Sequence, residues 1–193
     1  MSLRSRRILL QPVGEGAENI LKSLKRDLTG IFSQWDLKIE ISSQNIPLND
    51  SAYNSQRDQF DASLVLNNMM REIKSQSILR VLGIINKDLY SDNLNFVFGV
   101  AQTPKVRNFD TVIGCLISLV RLRAEFYREQ SNKKLFRKRA LKEAIHELGH
   151  TFGLEHCNNH CIMRFSNSLP ETDEKPAKFC KRCREKINSH FKI

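Results

Sequence analysis

Residues 146–156 read HELGHTFGLEH, and this stretch decides how the chain can fold and act. On a helix, side chains four positions apart lie on one face, so His146 and His150 can both present a ring nitrogen to one metal ion. Glu147 flanks that face, where its carboxylate could accept a proton from a water molecule on the metal. The spacing therefore predicts a helix that carries two metal ligands and a general base.

The sequence around this motif predicts where the helix begins and ends. No Gly or Pro occurs from residue 133 to residue 148, and Leu and Ala recur there at the spacing of one long amphipathic helix. Gly153 suits the left-handed conformation that ends a helix, after which the chain can turn back and bring His156 to the same ion. Three imidazoles leave a fourth position open for water, which is typical of catalytic zinc.

Four cysteines follow the histidines at the spacing of a second metal site. Cys157 and Cys161 form a C-x₃-C pair, and Cys180 and Cys183 form a C-x₂-C pair after 18 intervening residues. This pattern is typical of a closed four-thiolate zinc site that has a structural role. His160 lies inside the first pair and is a less favoured alternative ligand. The last 40 residues are poor in large aliphatic side chains, so metal binding would supply the order that a hydrophobic core cannot.

Length and composition bound the remaining possibilities. The chain has 193 residues, of which 40% are hydrophobic and 27% charged, which suits one globular domain with its own core. The longest uncharged apolar run, residues 111–120, is too short to cross a bilayer. Residues 1–10 lack the apolar stretch of a secretion signal. We therefore expect a soluble, cytoplasmic protein, in which five cysteines favour metal binding or burial over disulfides.

The net charge of +10 is concentrated in two segments. Residues 121–142 contain nine Lys or Arg and two Glu, and Arg4, Arg6 and Arg7 supply the rest of the excess. Such a segment can bind nucleic acid, but a basic helix is more often a solvated surface. If these charges faced a substrate cleft, they would favour acidic peptides.

Hydrophobic periodicity predicts a mixed order of strands and helices in the first 120 residues. The opening reads β-α-β, with a Gly-rich turn at residues 14–16. The predicted strands cover residues 7–13, 37–41, 78–85, 95–101 and 111–120, and the predicted helices cover residues 17–32 and 55–74. Cys115 falls in the last of these strands and is expected to be a core residue.

The histidine string resembles the metzincin zinc-peptidase signature. Its fusion to the four cysteines makes the chain similar to the archaemetzincins, small intracellular metzincin-like metallopeptidases. The resemblance is densest at residues 135–183, and it extends more weakly to Asn-Phe-Val-Phe-Gly at 95–99 and Ser-Leu-Val-Arg-Leu at 118–122.

The resemblance implies a role for each motif residue. Glu147 is then the general base and acid, and Met163 is the methionine of the turn beneath the metal. Phe165 stands where some metzincins have a tyrosine that assists the oxyanion, so that assistance must come from zinc or elsewhere. The resemblance implies two zinc ions per chain, a catalytic one on His146, His150 and His156 and a structural one on Cys157, Cys161, Cys180 and Cys183.

Together these observations predict an α/β fold. We expect a compact metzincin-like domain at residues 1–153, in which a twisted mixed sheet is backed by helices and ends in the active-site helix. A small zinc-ordered C-terminal subdomain is expected at residues 154–193. We expect a monomeric zinc metallopeptidase that acts on a peptide or protein substrate. The substrate is expected to lie extended beside an edge strand at residues 95–101. Membrane and nucleic-acid partners are not expected. The alternatives are a catalytically quiet, zinc-containing peptide-binding protein and a basic zinc-stabilised nucleic-acid-binding module.

Overall fold

A computed structural model describes residues 6–73, 77–91, 94–104 and 111–191. The strands are β1 (Arg7–Val13), β2 (Lys38–Ile41), β3 (Tyr53–Asn54), β4 (Gln59–Asp61), β5 (Arg80–Ile85), β6 (Leu89–Tyr90), β7 (Gly99–Ala101) and β8 (Ile113–Ser118). The α-helices are α1 (Glu18–Phe32), α2 (Ala62–Glu72), α3 (Lys133–Thr151), α4 (Leu169–Glu174) and α5 (Lys181–Phe191). Arg4 of the basic N-terminus and residue 74 of the predicted second helix lie outside the described residues.

The main sheet is mixed, as predicted. Its strand order is β2-β1-β5-β8-β7, in which the first four strands are parallel and β7 runs antiparallel to β8. The register sets Leu10 beside Leu82 and Leu82 beside Cys115 across the three central strands. A second, three-stranded sheet has the order β3-β4-β6. The α/β fold class is confirmed, and Cys115 is fully buried in β8.

Both faces of the central strands are buried, which explains why their sequences are almost continuously apolar. In β5, Leu82 and Ile84 pack into a core with helices α1 and α3, whereas Val81 and Ile85 pack on the opposite face with α2. The sheet is therefore the middle layer of three, and its α3 face carries the histidine motif.

The predicted second helix, residues 55–74, begins seven residues too early. The carboxylate of Asp61 accepts a hydrogen bond from the Leu64 backbone N–H at 2.9 Å and caps a helix that begins at Ala62. The residues before it form β3 and β4, and β4 pairs with the distant strand β6 through Phe60 and Leu89. Residues 55–61 contain only one apolar side chain, Phe60, so the helical spacing begins after them and the pairing with β6 decides the structure of β4.

Two predicted strands are each four residues shorter in the structure, whereas β2 and β5 differ from their predictions by one and two residues. Residues 111–120 contain the six-residue strand β8, and only residues 99–101 of the segment 95–101 form β7. The backbone N–H of Val97 donates to the Leu89 carbonyl oxygen at 3.0 Å instead of to β8. The main chain therefore crosses from β6 to β7 before it joins the main sheet.

Helix α3 extends three residues beyond the predicted stretch and ends where the sequence indicates. The side chain of Asn132 caps its first turn, and Gly153 follows its last turn with a φ of +77°. The amphipathic description fits only the first turns, because Arg139, Lys142 and Glu143 are buried along with the apolar residues. The second half of α3 lies between the sheet and the C-terminal segment, so both of its faces are covered.

The segment after residue 153 contains two helices that apolar periodicity did not predict. In α4, the Ser168 hydroxyl accepts from the Glu171 N–H, while the Glu171 carboxylate accepts from the Asn167 N–H, as in a capping box. In α5, Ile187 and Phe191 pack into the same core as α1 and α3. The Ser-x-x-Glu spacing was the local signal for α4. The predicted subdomain boundary at residue 153 stays a prediction.

At least three of the nine basic side chains of segment 121–142 make ion pairs or hydrogen bonds inside the molecule. Arg121 makes an ion pair with Asp88 at 2.7 Å, and Arg139 pairs with Asp173 at the same distance. The ammonium group of Lys142 donates to the carbonyl oxygens at the end of α4. These arginines and this lysine therefore stabilise the fold, and the segment is not simply a solvated face. Within the described residues, no helix is long and apolar enough to cross a membrane.

Candidate metal centres and active-site cleft

His146 and His150 lie one turn apart on α3, and the backbone orients both rings. Nδ1 of His146 lies 2.9 Å from the Ile162 carbonyl oxygen, and Nδ1 of His150 lies 2.8 Å from that of Leu154. Because a carbonyl oxygen can only accept, each Nδ1 carries a proton and donates it. Each Nε2 then carries a lone pair and no proton, and the two Nε2 atoms are 3.1 Å apart.

His156 completes the cluster from the loop that follows Gly153. Its ring centroid lies 5.5 Å from that of His146 and 5.0 Å from that of His150. One ligand atom from each of the three histidines lies within 4.8 Å of those from the other two. The structure thus brings together the three residues that the sequence predicted.

The surroundings keep these histidines neutral. Burial lowers the pKa of His146 to about 3, and the positive charge of Lys175 contributes to the shift. Burial also lowers the pKa of His150 and of His156. Because metal ligation requires a neutral imidazole, the cluster is ready to bind a cation at neutral pH.

Glu147 lines the same cleft as the histidines. The cleft has a volume of about 280 Å³, and its walls come from α3, the edge strand β7 and the loop at residues 165–167. Burial raises the pKa of Glu147 well above its usual value, and the neighbouring Glu143 carboxylate raises it further. A carboxylate held in this way binds a proton more strongly than one in water does.

Strand β7 and the residues before it line one wall of the cleft. The strand pairs with β8 on one side, and no described strand pairs with its other side, so the predicted edge position is confirmed for residues 99–101. No Lys or Arg of the described chain is among the residues that line the cleft. The basic segment 121–142 therefore contributes no residue to the lining of the cleft, and the condition under which it would favour acidic peptides is not met there.

The four predicted cysteines form a second cluster, whose Sγ atoms all lie within 4.8 Å of one another. Sγ of Cys157 is 3.8 Å from Sγ of Cys180, and the Cys180 backbone N–H donates to Sγ of Cys161 at 3.2 Å. All four, together with Cys115 in the core, are free thiols. His160 does not belong to the cluster.

Ionisation of these thiols is strongly uneven. Burial raises the pKa of Cys180, but hydrogen bonds from the Cys183 backbone and the Asn159 side chain outweigh it and lower the pKa to about 6. Burial and the charge of Cys161 raise the pKa of Cys183. Like charges this close resist further ionisation, and a bound divalent cation would relieve that repulsion.

One short loop joins the two clusters. The Ile162 carbonyl oxygen accepts the hydrogen bond from His146, while the Ile162 N–H donates to the Lys178 carbonyl oxygen near the second cysteine pair. The Cys157 N–H donates to the Met163 carbonyl oxygen at 2.9 Å. A shift of this loop would therefore move a histidine and a cysteine together.

Met163 and Phe165 have different environments beside the histidine cluster. Met163 is fully buried, and its sulfur occupies the space that a β-carbon at Gly149 would need, directly beneath α3. Phe165 is half exposed, and its ring packs edge-on against His156 with centroids 4.9 Å apart. Phe165 has no hydroxyl, so it can shape the cleft wall but cannot donate a hydrogen bond there.

A buried ion pair beside the cleft was not predicted from the sequence. Glu143, one turn before Glu147 on α3, accepts from the Lys175 ammonium group at 3.3 Å and from the Thr172 hydroxyl at 3.2 Å. The two charged side chains are only 4% and 1% exposed. The spacing of four between the two glutamates was the available signal for Glu143, but nothing local indicates Lys175.

Comparisons with known proteins agree with this geometry. Residues 9–189 match the family described as Peptidase family M54. The chain is 43% identical over 184 residues to the archaemetzincin of Methanocaldococcus jannaschii, an alignment that covers 94% of this chain and 92% of that protein. It is 39% identical over 186 residues to the archaemetzincin of Pyrococcus furiosus, covering 95% and 93%.

Solved structures show the same likeness in three dimensions. The archaemetzincin of Methanopyrus kandleri superimposes with a TM-score of 0.82 at 32% identity, covering 100% of this chain and 99% of that one. The archaemetzincin of Archaeoglobus fulgidus gives a TM-score of 0.73 at 30% identity, covering 93% and 99%. The chain therefore belongs to peptidase family M54, the archaemetzincins, and is a zinc metallopeptidase.

Proposed function

We propose that His146, His150 and His156 hold a catalytic zinc ion and that Glu147 is the general base and acid of peptide hydrolysis. The observation that carries this proposal is the pair of Nε2 atoms, 3.1 Å apart, that face each other without a proton between them. Two such lone pairs repel unless a cation lies beside both. Tetrahedral zinc with bonds of 2.0–2.1 Å would separate two nitrogen ligands by about 3.3 Å, which matches the observed distance.

The chain's own residues then divide the chemistry. A zinc ion bound by three imidazoles supplies a Lewis acid that polarises the scissile carbonyl and lowers the pKa of water. The Glu147 carboxylate accepts the proton of the attacking water and returns it to the leaving amine nitrogen. The main-chain carbonyls of Ile162 and Leu154 hold the rings of His146 and His150 in the tautomer that ligation needs.

The four cysteines are proposed to hold a second, structural zinc ion. Tetrahedral zinc with bonds of 2.3 Å would place two sulfurs about 3.8 Å apart, which is the separation of Cys157 and Cys180. With four thiolates, no position remains open for water. Because the loop through Ile162 contacts both clusters, this ion would also hold His146 in place.

The substrate is proposed to be a peptide that lies extended along β7. An edge strand offers unpaired backbone groups that a peptide can use as an additional strand. The proposal is supported by the place of β7 at the end of its sheet and by its residues, which line the cleft that contains Glu147. In the register of β7 with β8, the even-numbered residues 98, 100 and 102 bond to β8, so the Ala101 N–H points away from it. A proline at Ala101 should then weaken peptide affinity more than it weakens zinc binding.

Replacing Glu147 with Gln tests the proposed reaction. The amide keeps the size of the side chain but cannot accept a proton, so turnover of a peptide substrate should fall at least about 100-fold. The fold and the zinc content should not change. The control is Glu155→Gln, because Glu155 is an exposed glutamate beside His156 and should leave turnover unaltered. A Glu147→Gln protein with near wild-type turnover would contradict the assigned role.

Elemental analysis tests the metal assignment. The protein should retain two zinc ions per chain, and His150→Ala and Cys183→Ser should each remove a different one. If both variants lost the same ion, the two clusters would not be separate sites.

A further inference from the structure

Gly99 is the first residue of the edge strand β7, and it lies opposite the catalytic helix. It lines the cleft together with Glu147 and pairs with Ile117 of β8. A β-carbon at Gly99 would lie 2.7 Å from Cγ and 2.8 Å from Oε1 of Glu147. It would also lie 2.7 Å from the carbonyl oxygen of Leu116. The side chain of Glu147 therefore occupies the space that any other residue at position 99 would need.

Backbone conformation does not explain the glycine. The positive-φ glycines of the described chain are at positions 14, 16 and 153, so Gly99 has ordinary strand geometry that every residue can adopt. The lack of space for a side chain is thus the remaining explanation for a glycine at position 99. Within the described residues, moreover, no hydrogen bond holds the Glu147 carboxylate. Its position depends on what it packs against.

We infer that Gly99 is a positioning residue for the general base, because its missing side chain lets the Glu147 carboxylate lie against the edge strand where the substrate is proposed to bind. This inference rests on the proposed role of Glu147. A carboxylate displaced from this position would no longer reach the attacking water, and a misplacement of 1 Å can cost about 100-fold in rate. The zinc ligands do not touch Gly99 in this way, so metal binding should not depend on it.

A double-mutant cycle on the thermal stability of the zinc-loaded protein tests the contact without any activity measurement. Gly99→Ala should lower the melting temperature, because the new β-carbon meets both Glu147 and the Leu116 carbonyl oxygen. In a Glu147→Ala background the first contact is absent and only the second remains. The same Gly99→Ala change should then lower the melting temperature by less than it does in the parent protein. Equal shifts in the two backgrounds would overturn the inference.

The kinetics of peptide hydrolysis provide the second arm of the test. Gly99→Ala should reduce kcat at least about 10-fold, while KM stays within about twofold and the zinc content is unchanged. The matched control is Gly83→Ala in β5, whose β-carbon would meet the Met69 sulfur at 2.5 Å and a Leu116 methyl group at 2.7 Å, away from the cleft. A merely structural effect would reduce kcat equally in both variants and would overturn the inference.

The two arms separate this inference from the function on which it rests. If Glu147→Gln retained turnover, the general-base role would fail, whereas the stability cycle would still report whether Gly99 and Glu147 are coupled. If Glu147→Gln is inactive but Gly99→Ala has wild-type kcat, only the positioning role fails.

Discussion

Lys175→Met should strongly destabilise the protein, because it breaks the buried ion pair beside the cleft. The Lys175 ammonium group lies 3.3 Å from the Glu143 carboxylate, and the two side chains are 1% and 4% exposed. Methionine fills a similar volume but leaves the carboxylate buried with only the Thr172 hydroxyl as a described hydrogen-bond donor. Removing one partner of such a pair costs about 3–5 kcal/mol of folding free energy. For a chain of this length, that corresponds to a fall of about 6–20 °C in melting temperature.

The assay is thermal unfolding followed by circular dichroism at one fixed, saturating zinc concentration, since metal binding itself raises the melting temperature. Arg164→Met is the control. Arg164 and Glu174 are 3.9 Å apart, and more than half of each side chain is exposed. Exposed pairs contribute less than about 1 kcal/mol, so this variant should shift the melting temperature by no more than about 4 °C.

A second variant shows whether the lost stability comes from the unpaired charge. Adding Glu143→Gln to Lys175→Met removes that charge and should restore most of the melting temperature, because replacing both partners of a buried pair is often nearly neutral. If Lys175→Met shifted the melting temperature no more than Arg164→Met does, the reasoning from burial would be refuted.

Three further outcomes are expected. Cys180→Ser should lower stability and weaken zinc binding at the histidines as well, because the loop through Ile162 joins the clusters. The control is Cys115→Ser, in the core, which should leave the zinc content unchanged. A stable Cys180→Ser protein that holds its full zinc content would contradict the structural site. Acidification should destabilise the zinc-free protein: the folded-state pKa of His146 is about 3 against 6.5 for an ordinary histidine, so between about pH 6.5 and pH 3 the unfolded chain binds a proton at this residue that the folded chain does not, and the free energy of unfolding declines as the pH falls. Unfolding of the zinc-free protein followed against pH would show no such decline in that window if His146 were already charged in the folded state. Mild chelation should remove the zinc at the histidines before that at the cysteines, because an open site exchanges more readily than a closed one, and the reverse order would contradict the assignment.

Local spacing was enough to identify the ligand candidates and several elements. The first strand was predicted at the residues where the structure has it, because an apolar run bounded by a Gly-rich turn is a local signal. The spacing of His146 and His150 depends only on the helical repeat, and Gly153 ends α3 by its own backbone preference. For the same reason, the four cysteines could be grouped before their distances were known.

Local patterns failed where distant residues decide the structure. Residues 60 and 61, predicted as part of the second helix, pair with β6, and the strand at residues 95–101 is shortened by a hydrogen bond to Leu89. Helix α3 looks amphipathic in sequence, yet Lys142 and Glu143 are buried because the C-terminal segment covers them. None of these partners lies within a few residues along the chain, so no periodicity reports them.

The sequence by itself therefore determined the candidates for the chemistry of the site: the side chains proposed to bind metal, the one proposed to move a proton, and the family that the chain resembles. Only the tertiary structure decided how that chemistry is supported. Lys175 reaches Glu143 from 32 positions away, and Gly99 meets Glu147 across the cleft. The spacing of ligands along one helix follows from covalent geometry, which residues close together in the sequence determine. Contacts between elements depend on how the whole chain buries its apolar surface, and that is settled only when all the layers pack together.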